Sequence, residues 1–203
     1  MNKSEDQHQR ILAVARSKFL GFGFNRMSID SIVRELRTSK STVYKYYQTK
    51  NDLIKAVIDQ LNNEINTRLE VIINDEDLSF CGKLNTVVEF TKNTLTEINE
   101  EFLQDLKLYT PEIWEYYEKG RKYRIDTYYR KLFNDGVIEG AVRKDIDLEI
   151  LMKVYFNLTE MTVDADQFSK VSYTNQELYA EISKVFLEGA LVRDKEKHES
   201  NKN

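Results

Sequence analysis

Apolar positions recur every three or four residues along almost all of the 203-residue chain, and no segment shows the strict alternation of a strand. Ile11, Leu12, Ala15, Phe19 and Leu20 fall on one stripe and predict a helix over residues 5–20. The run "GFGF" ends it, with Gly21 or Gly23 able to take the left-handed cap. Ile29, Ile32, Val33 and Leu36 predict a second helix, opened by Ser28 as N-cap and favoured by Asp30 in its first turn. Ser39 can cap a third, "KSTVYKYY". Thr49 and Asp52 then have the spacing of a capping box, with Asp in place of Glu or Gln. They open a long fourth helix carrying Leu53, Ile54, Val57, Leu61, Ile65, Leu69 and Ile72. Further helices are expected over 83–98, 101–109, 111–134, 148–163 and 175–192, with Pro111 at the first position of its helix. "NDGVIEGAVRKDID" reads as a turn-rich connector. The pattern predicts an all-α chain: a three-helix helix-turn-helix domain over residues 1–50, a larger helical domain over 51–192, and a disordered tail over 193–203.

Composition supports a sizeable core, with 41% hydrophobic residues against 32% charged, and argues against wholesale disorder. No apolar run approaches the ~20 residues of a membrane span, and the polar start "MNKSEDQHQR" leads into no signal-type apolar region. With Cys81 as its only cysteine, the chain is expected in the cytoplasm. Net charge is −4, but its distribution matters more. Residues 1–50 hold ten Lys/Arg and four Asp/Glu, and the remainder is strongly acidic. A basic first domain on an acidic chain points to a polyanionic partner for that domain, or to simple solubilising charge.

The third helix separates these readings. At about 100° per residue, Val43 and Tyr47 share one face, while Ser41, Thr42 and Lys45 lie opposite and Tyr44 and Tyr46 flank them. Small hydroxyl side chains let a backbone approach a major groove, and a lysine can reach a base-edge acceptor or a phosphate. Tyrosine hydroxyls on the flanks suit phosphate oxygens, and Lys50 adds another phosphate-seeking charge. A short polar helix can also be merely solvated. The basic balance, the capped helix before it and the tyrosine flanks favour the groove.

Residues 10–58, from "RILAVARSKFLGFGFNRMSIDSIVREL" to "SKSTVYKYYQTKNDLIKAVI", resemble the TetR family of transcriptional regulators. The resemblance implies a DNA-binding domain on an all-helical ligand-binding and dimerisation domain. It implies DNA contacts at Ser28, Ser39, Lys40, Ser41, Thr42, Tyr44, Lys45, Tyr46 and Lys50. Arg37 stands where the family's turn glycine is usual and Ser41 where a glycine is common, so the turn needs another geometry or a left-handed arginine. The function implied is a sequence-specific regulator, a repressor released by a small-molecule effector, acting as a homodimer on an inverted-repeat operator of double-stranded DNA. The alternative is a helical small-molecule sensor whose helix-turn-helix mediates protein contacts. The last two helices offer Leu151, Tyr155, Leu158, Ile182, Val185, Phe186 and Gly189 for dimerisation, or for the core of one subunit.

Six of the twelve tyrosines lie between Tyr109 and Tyr129, together with Trp114. Aromatic walls with polar tips suit an apolar or aromatic effector, and Trp114, Tyr117, Tyr128 and Phe156 are the expected lining; core packing would use the same residues. Catalysis has little support. His8 and His198 are expected in flexible ends, so neither a histidine-based triad nor a metal site is assembled, and no cofactor is implied. Cys81 is expected as a buried structural thiol, or else as a redox sensor.

Overall fold

A computed structural model of the protein describes residues 3–162 and 173–192. The expected tail, His198 and the helix end at Val163 lie outside the described residues. In chain order the helices are α1 (Lys3–Phe22), α2 (Ile29–Leu36), α3 (Lys40–Tyr46), α4 (Lys50–Ile73), α5 (Phe80–Glu97), α6 (Glu100–Tyr109) and α7 (Pro111–Arg124). A π-helical stretch, Ile125–Tyr129, leads into α8 (Arg130–Ile138), followed by α9 (Leu148–Glu160) and α10 (Asn175–Ala190). Among the described residues there is no strand, only an isolated antiparallel bridge between Val142 and Leu191. The architecture is all-α, as the periodicity predicts.

The chain divides into two compact units. The first comprises Met1–Ile65 and Thr96–Gly120, the second Asn66–Leu95 and Arg121–Asn203. The division expected at residue 50 is by role; by compactness the start of α4, and α6 with most of α7, group with the first three helices. In the first unit α1 packs on α2 and α6, and α2 on α3. Its core takes Ile11, Ala15 and Phe19 from α1, Ile32 from α2, Val43 from α3, Leu53, Ile54 and Val57 from α4, and Phe102 and Leu106 from α6. Phe24, in the α1–α2 turn, stands edge-on to Phe19 and Phe102 at 6.3 and 6.0 Å. The Thr49–Asp52 capping box forms in full: the Thr49 amide donates to Asp52 Oδ2 at 2.9 Å and the Asp52 amide to Thr49 Oγ1 at 3.1 Å.

In the second unit α8 packs on α9 and α9 on α10, around Phe80, Leu132, Phe133, Tyr155, Tyr179 and Phe186. Two expectations are corrected here. The helix expected to stop at residue 134 passes through the π stretch and continues to Ile138, so Gly136 is helical and not part of a connector. Cys81, expected to be buried, is exposed on the first turn of α5.

Candidate nucleic-acid interface

The helix-turn-helix is built from α2 and α3. Ser28 has N-cap geometry, with φ −92° and ψ 157°, yet its hydroxyl makes no capping bond. Its carbonyl instead accepts from the Ser31 amide at 3.0 Å and the Ser31 hydroxyl at 2.7 Å, and the Ser28 side chain is exposed. Helix α2 ends at Arg37, which is left-handed with φ 50° and ψ 46°. That conformation costs a non-glycine residue roughly 1–2 kcal/mol. The Arg37 amide donates to the Arg34 carbonyl at 3.3 Å and the Thr38 amide to the Val33 carbonyl at 3.1 Å, closing the helix end.

Ser39 then caps α3. Its Oγ accepts the Thr42 amide at 3.2 Å and lies 2.7 Å from Ser41 Oγ and 2.8 Å from Thr42 Oγ1. Three hydroxyls therefore cluster at the N-terminal end of α3, where unpaired amides and the helix dipole also favour an anion. Val43 is fully buried and Tyr47 only 6% exposed, whereas Ser41, Tyr44 and Lys45 face solvent. Val43 and Tyr47 face inward and Ser41 and Lys45 outward as the helical spacing predicts, while Thr42, expected outward, is half-buried.

Two expected DNA contacts have partners within the chain. Lys40 pairs with Asp30 of α2 at 2.9 Å, and the hydrogen bond to that carboxylate holds its amine above the ordinary lysine range. Lys50 donates to the Phe24 carbonyl at 2.6 Å with its amine 5.8 Å from the centre of the Phe24 ring; burial pushes its pKa down. Sequence reasoning missed three supports. His8 is not in a flexible end: it sits in α1, stacks on Tyr46 and Tyr47 at 5.3 Å each, and bonds the Tyr47 hydroxyl through Nε2 at 2.8 Å. Asp105 of α6 accepts the Phe24 and Asn25 amides, both at 2.7 Å. Asn99 donates its amide to the Leu20 carbonyl at 2.8 Å and its side chain to the Gly21 carbonyl at 3.1 Å. The helix expected over residues 5–20 already contains His8 and could have signalled the first; the other two join residues about eighty positions apart.

Residues 11–57 match the sequence profile of the bacterial regulatory proteins of the tetR family. A transcriptional repressor named TetR from Mycobacteroides abscessus is 35% identical over 57 residues, covering 28% of this chain and 30% of its own. YvaF of Bacillus subtilis (strain 168), an HTH-type transcriptional regulator, is 23% identical over 176 residues, 83% of this chain and 86% of its own. A crystal structure of a transcriptional regulator from Saccharomonospora viridis, in complex with choline, aligns with a TM-score of 0.75 over 93% of this chain and all of that one, at 16% identity. Residues 11–57 are a TetR-family DNA-binding region. The protein is a transcriptional regulator with a DNA-binding helix-turn-helix.

The four aromatic residues expected to line an effector site fall into two pairs, one in each unit. In the first unit Trp114, half-buried, lies 5.8 Å from the buried Tyr117. In the second, Tyr128 meets Tyr123 edge-on at 6.1 Å, and Phe156 lies under the Arg121 guanidinium at 5.9 Å. A small cavity of about 10 Å³, room for one water-sized body, lies elsewhere in the second unit between Val87, Tyr129, Phe133, Tyr155, Tyr179 and Ser183. The Tyr155 and Tyr179 hydroxyls are 3.3 Å apart there, and burial pushes both phenols well above the ordinary tyrosine range.

The residues named for dimerisation divide by exposure. Leu151, Tyr155, Ile182 and Phe186 are already buried within one chain, and Leu158 is half-buried. Val185 and Gly189 are exposed, as are Ile150 and Val154 on α9. Among the described residues no group of His, Cys, Asp and Glu could hold a metal ion, and no helix is long and apolar enough to cross a membrane.

Proposed function

We propose that this regulator is a homodimeric repressor that reads an inverted-repeat operator and is released by a small-molecule effector, with no enzymatic role. The observation that carries the reading is the solvent-facing surface of α3. Ser39, Ser41 and Lys45 are exposed, and Thr42 half-buried, on a helix that Val43 and Tyr47 anchor in the core. Ser28, Tyr44 and Tyr46 border that face and suit phosphate oxygens. Lys40 and Lys50 join them by exchanging or sharing their partners Asp30 and the Phe24 carbonyl, since a lysine has three donor hydrogens. Two such faces related by a two-fold axis would enter successive major grooves about 34 Å apart. The Mycobacteroides abscessus relative, a repressor, supports the sign of regulation.

Dimerisation is assigned to the exposed outer faces of α9 and α10, Ile150 and Val154 with Leu158, Val185 and Gly189. An apolar or aromatic effector bound in the second unit would meet hydroxyl tips at Tyr155, Tyr179 and Ser183 once side chains move to enlarge the cavity. None of the four expected lining residues borders that cavity: Tyr128 and Phe156 lie elsewhere in the second unit, and Trp114 and Tyr117 in the first. Helix α4 belongs to both units and gives the effector a continuous element through which to act. Release requires a ligand that prefers the conformation that does not fit the groove.

The test is selection of bound sequences from random duplexes. The expected product is an inverted repeat, and Lys45→Ala should weaken binding to it by about 1–3 kcal/mol. Wild-type affinity in that variant would remove Lys45 from the reading face.

A further inference from the structure

Among the described residues Arg37 is the one non-glycine residue with positive φ. It occupies the turn between α2 and α3, two positions before the cap of the reading helix. A glycine would take this backbone without strain. The helix end gains nothing from the guanidinium, because the closing bonds run from the Arg37 and Thr38 amides to carbonyls. The side chain is exposed and makes no hydrogen bond or ion pair with any described residue. Nearby cations differ. Lys18 pairs with Glu35 at 2.6 Å and Lys40 with Asp30 at 2.9 Å, so the two carboxylates of α2 are already engaged. Strain kept at a site with no internal return points to a role outside the fold.

We propose that Arg37 is a DNA-contacting residue whose guanidinium takes a backbone phosphate beside the groove that α3 enters. The proposal rests on the operator-binding reading above and extends its contact set into the turn. A guanidinium presents paired donors that fit phosphate oxygens, and phosphates recur along the strand on either side of the groove. The contact positions the reading helix and carries no base preference of its own.

The experiment compares wild type, Arg37→Gly, Arg37→Lys and Lys45→Ala on the selected operator and on an unrelated duplex, over a range of salt, with a thermal melt of each protein. Arg37→Gly should melt at or above wild type, by up to ~2–4 °C as the left-handed strain is relieved. It should bind both duplexes about tenfold less tightly. Its plot of log affinity against log salt should be shallower by about 0.9 for each phosphate that is no longer neutralised. Arg37→Lys should keep most of the slope. The proposal is overturned if Arg37→Gly binds as wild type does while Lys45→Ala is weakened, which leaves the operator reading standing. A loss confined to the operator overturns it in favour of a base contact. A melt well below wild type overturns it by showing that Arg37 serves the fold, and an equal loss of affinity and slope in Arg37→Lys shows that charge is not what counts. If wild type selects no sequence and binds neither duplex, the operator reading falls and Arg37 with it.

Discussion

Gly23, Asp105 and Lys50 hold the turn that sets α2 against α1, and they do so with very few atoms. Gly23 has φ +72°, and a Cβ there would stand 2.6 Å from Asp105 Oδ2, the oxygen that accepts two backbone amides. Asp105→Ala leaves the partly buried Phe24 amide and the exposed Asn25 amide without their charged acceptor, and should cost about 1–3 kcal/mol in chemical denaturation. Tyr47 supplies a pH signature. Burial raises its phenol to about 12, so folded protein keeps the proton through a range where unfolded chain loses it. Its contribution is complete below pH about 10 and falls as pH rises toward 12, because the unfolded state then binds fewer protons. Tyr47→Phe should make the alkaline loss of stability shallower, and an unchanged alkaline limb would remove Tyr47 as its source. Tyr155 and Tyr179 act in the same direction, so the limb should flatten without vanishing. The inward turn of Val43 and Tyr47 was legible in helical spacing alone. The partner of Lys50 was not, because the Phe24 carbonyl is brought to it only by the packing of α4 beneath the turn. The exposure of Cys81 was equally hidden, since one thiol on a first helical turn has no periodicity of its own.

At the level of elements, the local signals of caps and stripes could be read, apart from the Ser28 hydroxyl that makes no capping bond, and whatever depends on two helices meeting could not. The Thr49–Asp52 box and the Ser39 cap are local bonds, and both form as their spacing requires. The existence and order of the helices followed from apolar stripes. Gly136 shows the limit. In sequence it looks like a turn glycine beside Asp135; in the fold it lies inside α8, where a Cβ would meet the Phe80 ring at 2.5 Å and Val142 at 2.7 Å. Its role is close approach, which a single chain segment cannot reveal. Gly136→Ala gains helix propensity but forces the Phe80 ring to move, and overpacking of that kind costs about 1–3 kcal/mol. A thermal melt equal to or above wild type would show that the α5–α8 crossing relaxes freely. The π stretch was unreadable for a related reason. It shifts register by tertiary fit, placing the Tyr129 hydroxyl 2.8 Å from Thr91 Oγ1 across the second unit.

For the whole molecule, neighbouring residues of α10 have opposite environments. Phe186 is buried, packed at 5.5 Å on Phe133 and 5.1 Å on Tyr155, so its loss would damage one subunit directly. Val185, one position earlier, is 68% exposed and lies on the solvent side of the same helix. The proposed dimer therefore makes a separable prediction. Val185→Glu should leave the fold of one chain within about 0.5 kcal/mol, as for surface substitutions generally. It should nonetheless shift the protein toward monomer in sedimentation by placing a charge in an apolar contact. Operator affinity should fall with it, because two reading heads joined by an interface bind as one ligand, whereas separated heads must each find a half-site. Phe186→Ala, by contrast, should lower the melting temperature before any effect on assembly can be read. A Val185→Glu protein that stays dimeric and binds operator normally would place the two-fold interface elsewhere. One that becomes monomeric yet binds the full inverted repeat as tightly as wild type would break the link between assembly and recognition. The stripe on α9 and α10 could be seen in the sequence, but not its division into a buried half and an exposed half. That division depends on which side α8 occupies, so it could be assigned only once the second unit was assembled.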